Sequence, residues 1–152
     1  MHLVLVEPEI PPNTGNAART CVMTNTKLHL VEPLGFSLSD SAVRRSGLDY
    51  WQYLDLEIHP NFEELEQAYP ENRFLYFTTR GTKYYHEIIY RPDDFLIFGS
   101  ETKGLSEDIL KQAEHVVRIP MVDQIPRSLN LGNSVALVLY EALRQQGYPG
   151  LK

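Results

Sequence analysis

The sequence predicts an α/β protein, a mostly parallel sheet with helices on both faces. Two observations predict it: short apolar runs that read as buried strands recur along the chain, and helical patterns fall between them. At 152 residues, 1–152 forms one domain with room for a sizeable core. There is no internal repeat, low-complexity tract or linker.

The strand candidates are His2–Val6, 28–31, 74–78, Phe95–Phe98 and 116–119, with 54–58 a weaker sixth. The first helix is expected over 14–23, capped by Asn13 or Thr14. The next covers Phe62–Ala68, where Asn61 precedes Glu64 by three residues in a capping-box pattern and Pro70 follows. Ser106 caps a third helix over 107–113. The last helix, from Ser134 to Arg144, is apolar nearly all round, whereas a surface helix shows one apolar stripe. One face can cover the sheet. The other needs a second subunit or a deeply central position, and a homodimer is the expected solution, since isologous pairs are the commonest oligomers.

Composition narrows the function classes. A single cysteine, Cys21, excludes an internal disulfide and is expected to be a small buried apolar group in a reducing compartment. The N-terminal apolar run stops at Glu7-Pro8 and has no basic head, so no signal peptide is expected. No stretch approaches a membrane span, and the expected location is the cytoplasm. The net charge of −6 argues against non-specific nucleic-acid binding, but affinity follows the charges that face the phosphates. Arg19, Arg80 and Arg127 lie outside the two acidic segments, 57–71 and 93–114. The five histidines have no metal-ligand spacing and read as strand or surface residues, so no metal is expected. Neither a dinucleotide fingerprint nor a P-loop is present.

Three strand-to-loop junctions hold nearly all the special residues. The first, Glu7-Pro8-Glu9-Ile10-Pro11-Pro12-Asn13-Thr14-Gly15-Asn16, leads into Arg19. With Gly15 and Asn16 in a first helical turn, unpaired N–H groups would suit a phosphate. For a proline-rich turn taken alone, a rigid loop that only caps a helix is the more natural reading. The second, Gly99-Ser100-Glu101-Thr102-Lys103-Gly104, pairs glycines at a strand end, where a flat ligand can approach the backbone. The third runs from Ile119-Pro120-Met121 to Arg127-Ser128-Leu129-Asn130 before the last helix, where Ser128 and Asn130 could be caps and nothing more. Together they converge on the C-terminal edge of one parallel sheet, where ligands of open α/β proteins bind.

At these loops, and at Arg44-Arg45-Ser46-Gly47-Leu48-Asp49-Tyr50, the sequence resembles the SPOUT methyltransferases, above all the enzymes that methylate the 2′-hydroxyl of the tRNA wobble cytidine or uridine. The resemblance runs from Leu3 to Gly150. It implies a deep trefoil knot in the C-terminal third, which general topology rules would not predict. It also implies S-adenosylmethionine as cofactor, held by Phe77, Gly99, Glu101, Gly104, Ile119 and Ser128. The implied RNA contacts are Asn16, Arg80, Arg127, Asn130 and Tyr140, with the tRNA anticodon stem-loop as partner. The segment 122–127 looks about one residue longer than in the enzymes it resembles, and Gly132 stands where serine is also common. Members acting on ribosomal RNA carry an N-terminal RNA-binding extension, so the resemblance favours the small tRNA enzyme.

Methyl transfer to a ribose must stabilise the hydroxyl as it loses its proton. Arg19 is the expected catalytic residue. A guanidinium stays protonated in proteins, so it would act on developing alkoxide charge rather than as a base, or it would only pin the phosphate backbone. Methylation of another RNA, a non-catalytic RNA-binding module and a nucleotide-binding regulator are the competing classes, and binding of S-adenosylmethionine separates the last two from the enzyme.

Overall fold

The computed structural model describes residues 1–39 and 50–152, so all of the arginine-rich motif except Tyr50 lies outside the described residues. Among the described residues seven strands form one sheet: β1 (His2–Val6), β2 (Lys27–Val31), β3 (Leu56–His59), β4 (Phe74–Phe77), β5 (Lys83–Tyr84), β6 (Phe95–Phe98) and β7 (Val116–Arg118). Their order is β3-β2-β1-β6-β4-β7-β5, and every pairing is parallel. The central strand β6 is buried at every residue, as expected of a parallel strand covered on both faces. The six strand candidates are all present, His2–Val6 and Phe95–Phe98 with the expected bounds and the other four with ends shifted by one or two residues. The two-residue, exposed β5 has no apolar signal and was not expected.

Helices α1 (Pro11–Thr24) and α4 (Leu131–Gln145) cover one face, and α2 (Phe62–Ala68) and α3 (Glu107–Gln112) the other. Alternate residues of β1 feed the two cores: Leu3 and Leu5 pack with Ala17, Ala18 and Val138, while Val4 and Val6 pack with Leu65 and Ile97. Cys21 is wholly buried, and burial pushes its thiol up, so it is an inert core group as expected. Among the described residues, no helix is long and apolar enough to cross a membrane.

Two helix starts differ from expectation in a way that bears on the site. Helix α1 begins at Pro11, not Thr14, because a proline pair is preorganised for the first turn and needs no N–H partner there. Helix α4 begins at Leu131, three residues earlier than expected, with the Asn130 side chain accepting the Asn133 N–H as its cap. Its buried stripe, from Leu131 through Val135, Val138, Leu139 and Ala142, faces its own chain, so the helix is not buried all round. Leu137 (40% exposed) and Tyr140 (46%) point outward. Gly132 lets α4 approach α1: a Cβ there would lie 3.2 Å from both the Asn16 Cβ and the Asn130 Oδ1.

Candidate active site

A cavity of about 430 Å³ opens where β4, β6 and β7 end, at the C-terminal edge of the sheet. Every residue expected to hold the cofactor lines it: Phe77, Gly99, Glu101, Gly104, Ile119 and Ser128. So do Arg80, Arg127 and Asn130 of the expected RNA contacts. Asn16 and Tyr140 lie outside the lining and are exposed on α1 and α4, as is Arg19. Phe77 and Phe98, from neighbouring strand ends, stack with ring centroids 4.8 Å apart and planes 9° apart, giving the cavity an apolar floor. Arg80, Lys103 and Arg127 stand in its wall, a local cationic set on an acidic protein. Arg80 is ion-paired with Glu107 of α3, but both side chains are more than half exposed, so the pair is weak and exchangeable.

The cavity wall is fixed by a reciprocal clamp between the first two loops. Glu101 accepts from the Glu9 N–H (2.8 Å), the Ile10 N–H (3.1 Å) and the Asn13 amide (3.1 Å). In return the Glu9 carboxylate accepts from the Thr102 N–H (3.0 Å) and hydroxyl (2.7 Å), which holds its pKa below the ordinary glutamate value. Asn13 then accepts from the Asn130 amide at 2.8 Å, tying the third loop to the other two. Glu101 and Asn130 therefore stand in the cavity wall with their polar atoms committed to protein partners: Glu101 is a clamp and Asn130 a cap and link. Glu9 and Thr102 carry no expected role, and Asn13, expected as a helix cap, links the loops instead. The only signal in the sequence was their place inside the special loops, because the partners lie about 90 to 120 residues apart.

Gly99 also does something different from what its position suggested. A Cβ there would fall 2.1 Å from the Gly104 carbonyl carbon and 2.3 Å from the Leu105 nitrogen, so it is the chain's own backbone that approaches it. Gly104 has φ +68°, and its N–H donates to the Ser100 carbonyl at 2.8 Å, closing the turn.

The helix-terminus phosphate reading does not survive. Pro11 and Pro12 have no N–H, and the N–H groups of Asn13 and Thr14 both donate to the Ile10 carbonyl. Gly15 and Asn16 fall in the second turn, past the orphan donors. Anion affinity here has to come from side chains. Arg19 is one turn beyond, its guanidinium carbon 5.6 Å from the ring centre of Tyr50. The Tyr50 hydroxyl donates to the Gly15 carbonyl of the same helix at 3.2 Å, and burial raises its pKa against the opposing pull of Arg19. Arg19 is thus held on an aromatic face at the surface of α1.

Three of the five histidines are gathered in space. His2, His29 and His59 form a hydrogen-bonded row on the α2 side of the sheet, ending at Glu57. Strand register, which the spacing does not reveal, brings them together.

The comparisons with known proteins agree with this architecture. The family model described as SpoU rRNA Methylase family matches residues 1–140, and the chain belongs to that family, and so to the SPOUT methyltransferases that the loops resemble. The chain is 48% identical to the tRNA (cytidine(34)-2′-O)-methyltransferase of Methylovorus glucosotrophus over 97% of each chain. It is 45% identical to the enzyme of the same name from Escherichia coli K12, over 99% of this chain and 96% of the other. A solved structure that gives structural insights into 2-OH methylation of C/U34 on tRNA superposes with a TM-score of 0.92 at 43% identity, covering 96% of this chain and 95% of that one.

Proposed function

We propose that residues 1–152 form one catalytic domain that transfers a methyl group from S-adenosylmethionine to the ribose 2′-hydroxyl of nucleotide 34, a C or a U or modified U, in the tRNA anticodon stem-loop. The observation that carries this is a coincidence: near-half identity over full length with enzymes of that name, and a cavity gathering all six expected cofactor residues. The test is mapping of 2′-O-methylation in tRNA from cells with and without the protein. Loss of the mark at position 34 is expected. An unchanged mark there, with loss on another RNA, would move the activity to that RNA.

The residues fit the cofactor. The cavity size suits a nucleoside-sized ligand, and the apolar Phe77–Phe98 floor meets hydroxyl and backbone donors from the three clamped loops. Phe77, Ile119 and Ser128 would contact it, with the Gly99–Gly104 turn beside them and Glu101 bracing the turn from behind. When bound, S-adenosylmethionine supplies a methyl on a sulfonium centre that leaves as a neutral thioether, so the transfer needs no Lewis acid. Arg19 stabilises the hydroxyl oxygen as its proton passes to an RNA phosphate, while Arg80 and Arg127 hold flanking phosphates. Titration calorimetry on chelator-treated protein is expected to give one S-adenosylmethionine per chain. No detectable binding would remove the enzyme reading.

We further propose a homodimer, a cytoplasmic location and a C-terminal trefoil knot. The dimer reading rests on the outward side of α1 and α4, where Met23 (56% exposed), Leu137 and Tyr140, with Tyr148 just past the end of α4, put apolar surface on the side that carries Asn16 and Arg19. This would bring Arg19 and Tyr140, absent from their own chain's cavity wall, to a shared interface. Leu139 is wholly buried in its own core and is no probe of it. Leu137→Asp, at an exposed position, is expected to leave the fold intact and give a monomer by light scattering. A wild-type monomer at micromolar concentration would overturn the reading.

A further inference from the structure

We propose that the chain carries a second site, remote from the cavity: a zinc-class divalent transition-metal site made by His29 Nδ1, His59 Nε2 and Glu57 Oε1. One ligand atom from each of these residues lies within 4.8 Å of the others. His29 Nδ1 is 3.0 Å from His59 Nε2, which is 3.5 Å from Glu57 Oε1. Ligand atoms about 2.0–2.1 Å from a tetrahedral zinc sit roughly 3.3–3.4 Å apart, so small side-chain shifts complete the geometry.

Sheet register builds the site. His29 pairs with Glu57 and Val31 with His59, so His29 and His59 are diagonal neighbours on one face. His2 pairs with Lys27 and Val4 with His29, which extends the diagonal to His2. Two of the three ligands, His29 and Glu57, are held from behind, the arrangement that orients ligands in metal sites. His29 Nε2 is 2.9 Å from His2 Nδ1, whose ring stacks on Phe95 at 4.1 Å. The other Glu57 oxygen accepts from Lys27 (2.8 Å) and from the Tyr69 hydroxyl (2.7 Å). The Lys27 charge opposes a cation but is itself shared with Asp55 at 3.9 Å.

The imidazoles are ready ligands. The facing nitrogens of His29 and His59 share one proton, and on binding it moves to the far nitrogen of its own ring, so a tautomer shift frees both lone pairs without loss of a proton to solvent. Glu57 lies on the edge strand β3, with its side chain 34% exposed, which gives an ion a way in and a water the fourth position. None of these residues lines the cavity, and β3 is three strands from β6.

The test uses untagged, full-length protein stripped with a chelator, then titrated with Zn²⁺ by calorimetry and with Co²⁺ by visible absorption. Expected are one ion per chain, the intense visible bands of tetrahedral Co²⁺, and a Zn²⁺-dependent rise in melting temperature. His59→Gln removes all three. Glu57→Gln, whose amide oxygen can still meet Lys27 and Tyr69, lowers affinity at least ~10-fold, and His2→Ala lowers it about 10- to 100-fold as an outer-shell change. S-adenosylmethionine affinity stays at wild type in Glu57→Gln, so this result is independent of the proposed function. No Zn²⁺ binding by the wild type would overturn the site. So would affinity unchanged in Glu57→Gln but lost in His2→Ala, which would put the ion on the N-terminal amine and His2.

Discussion

Gly99→Ala is expected to abolish S-adenosylmethionine binding, although alanine adds a single methyl group. The added Cβ would sit 2.1 Å from the carbonyl carbon of Gly104, 2.3 Å from the nitrogen of Leu105 and 2.4 Å from the Gly104 oxygen. All three are backbone atoms, so no side chain can rotate away. Relief requires the turn from Ser100 to Gly104 to open, at the expense of the 2.8 Å hydrogen bond that closes it. Glu101 and Thr102 lie inside that turn, so the clamp on Glu9, Ile10 and Asn13 moves with it. Overpacking of this kind costs about 1–3 kcal/mol, and more when backbone must give. Calorimetry should find no binding up to millimolar cofactor, with a lowered melting temperature. Gly104→Ala is the contrast. Nothing lies within 4 Å of its Cβ, and the penalty comes only from φ +68°, about 1–2 kcal/mol. A weakened but measurable affinity is expected there. Wild-type affinity in Gly99→Ala would mean that the cofactor does not depend on this turn.

The sheet was legible because each central strand is an apolar run, and α2 and α3 because Asn61 and Ser106 cap them at the expected positions. β5 was not legible: Lys83–Tyr84 carries no burial signal, and only its pairing with Val117 and Arg118 makes it a strand. Of the site, the loops and lining residues could be read, since glycines, prolines and asparagines at strand ends are local signals. The roles of Glu101 and Asn130 could not. They depend on partners 88 to 117 residues away, and the carboxylate and amide that face a cavity in sequence are tied to neighbouring loops in space. The histidine row was invisible for a related reason. His2, His29 and His59 are 27 and 30 residues apart, and a one-residue slip in either strand register would send each ring to the opposite face.

Arg19→Ala is expected to leave S-adenosylmethionine affinity nearly unchanged while methyl transfer to tRNA falls by at least ~100-fold, the scale for losing a preorganised electrostatic stabiliser. The two effects separate because Arg19 is not in the cavity wall of its own chain, and no hydrogen bond of the three-loop clamp passes through it. Stability should change little, since the side chain is exposed. What the substitution removes is a cation held in place: the guanidinium stands 5.6 Å from the Tyr50 ring centre, and Tyr50 is anchored to the Gly15 carbonyl one turn away. Arg19→Lys should therefore rescue only part of the rate. An ammonium keeps the charge but lacks the planar fork that meets an anion bidentately, and it stacks less well on the aromatic face. Single-turnover rates at saturating tRNA decide between the two roles left open for this residue. A rate that stays ~100-fold low at saturation places Arg19 in the chemical step. A rate that returns to wild type as tRNA is raised makes it an anchor for the phosphate backbone, and the catalytic assignment then fails.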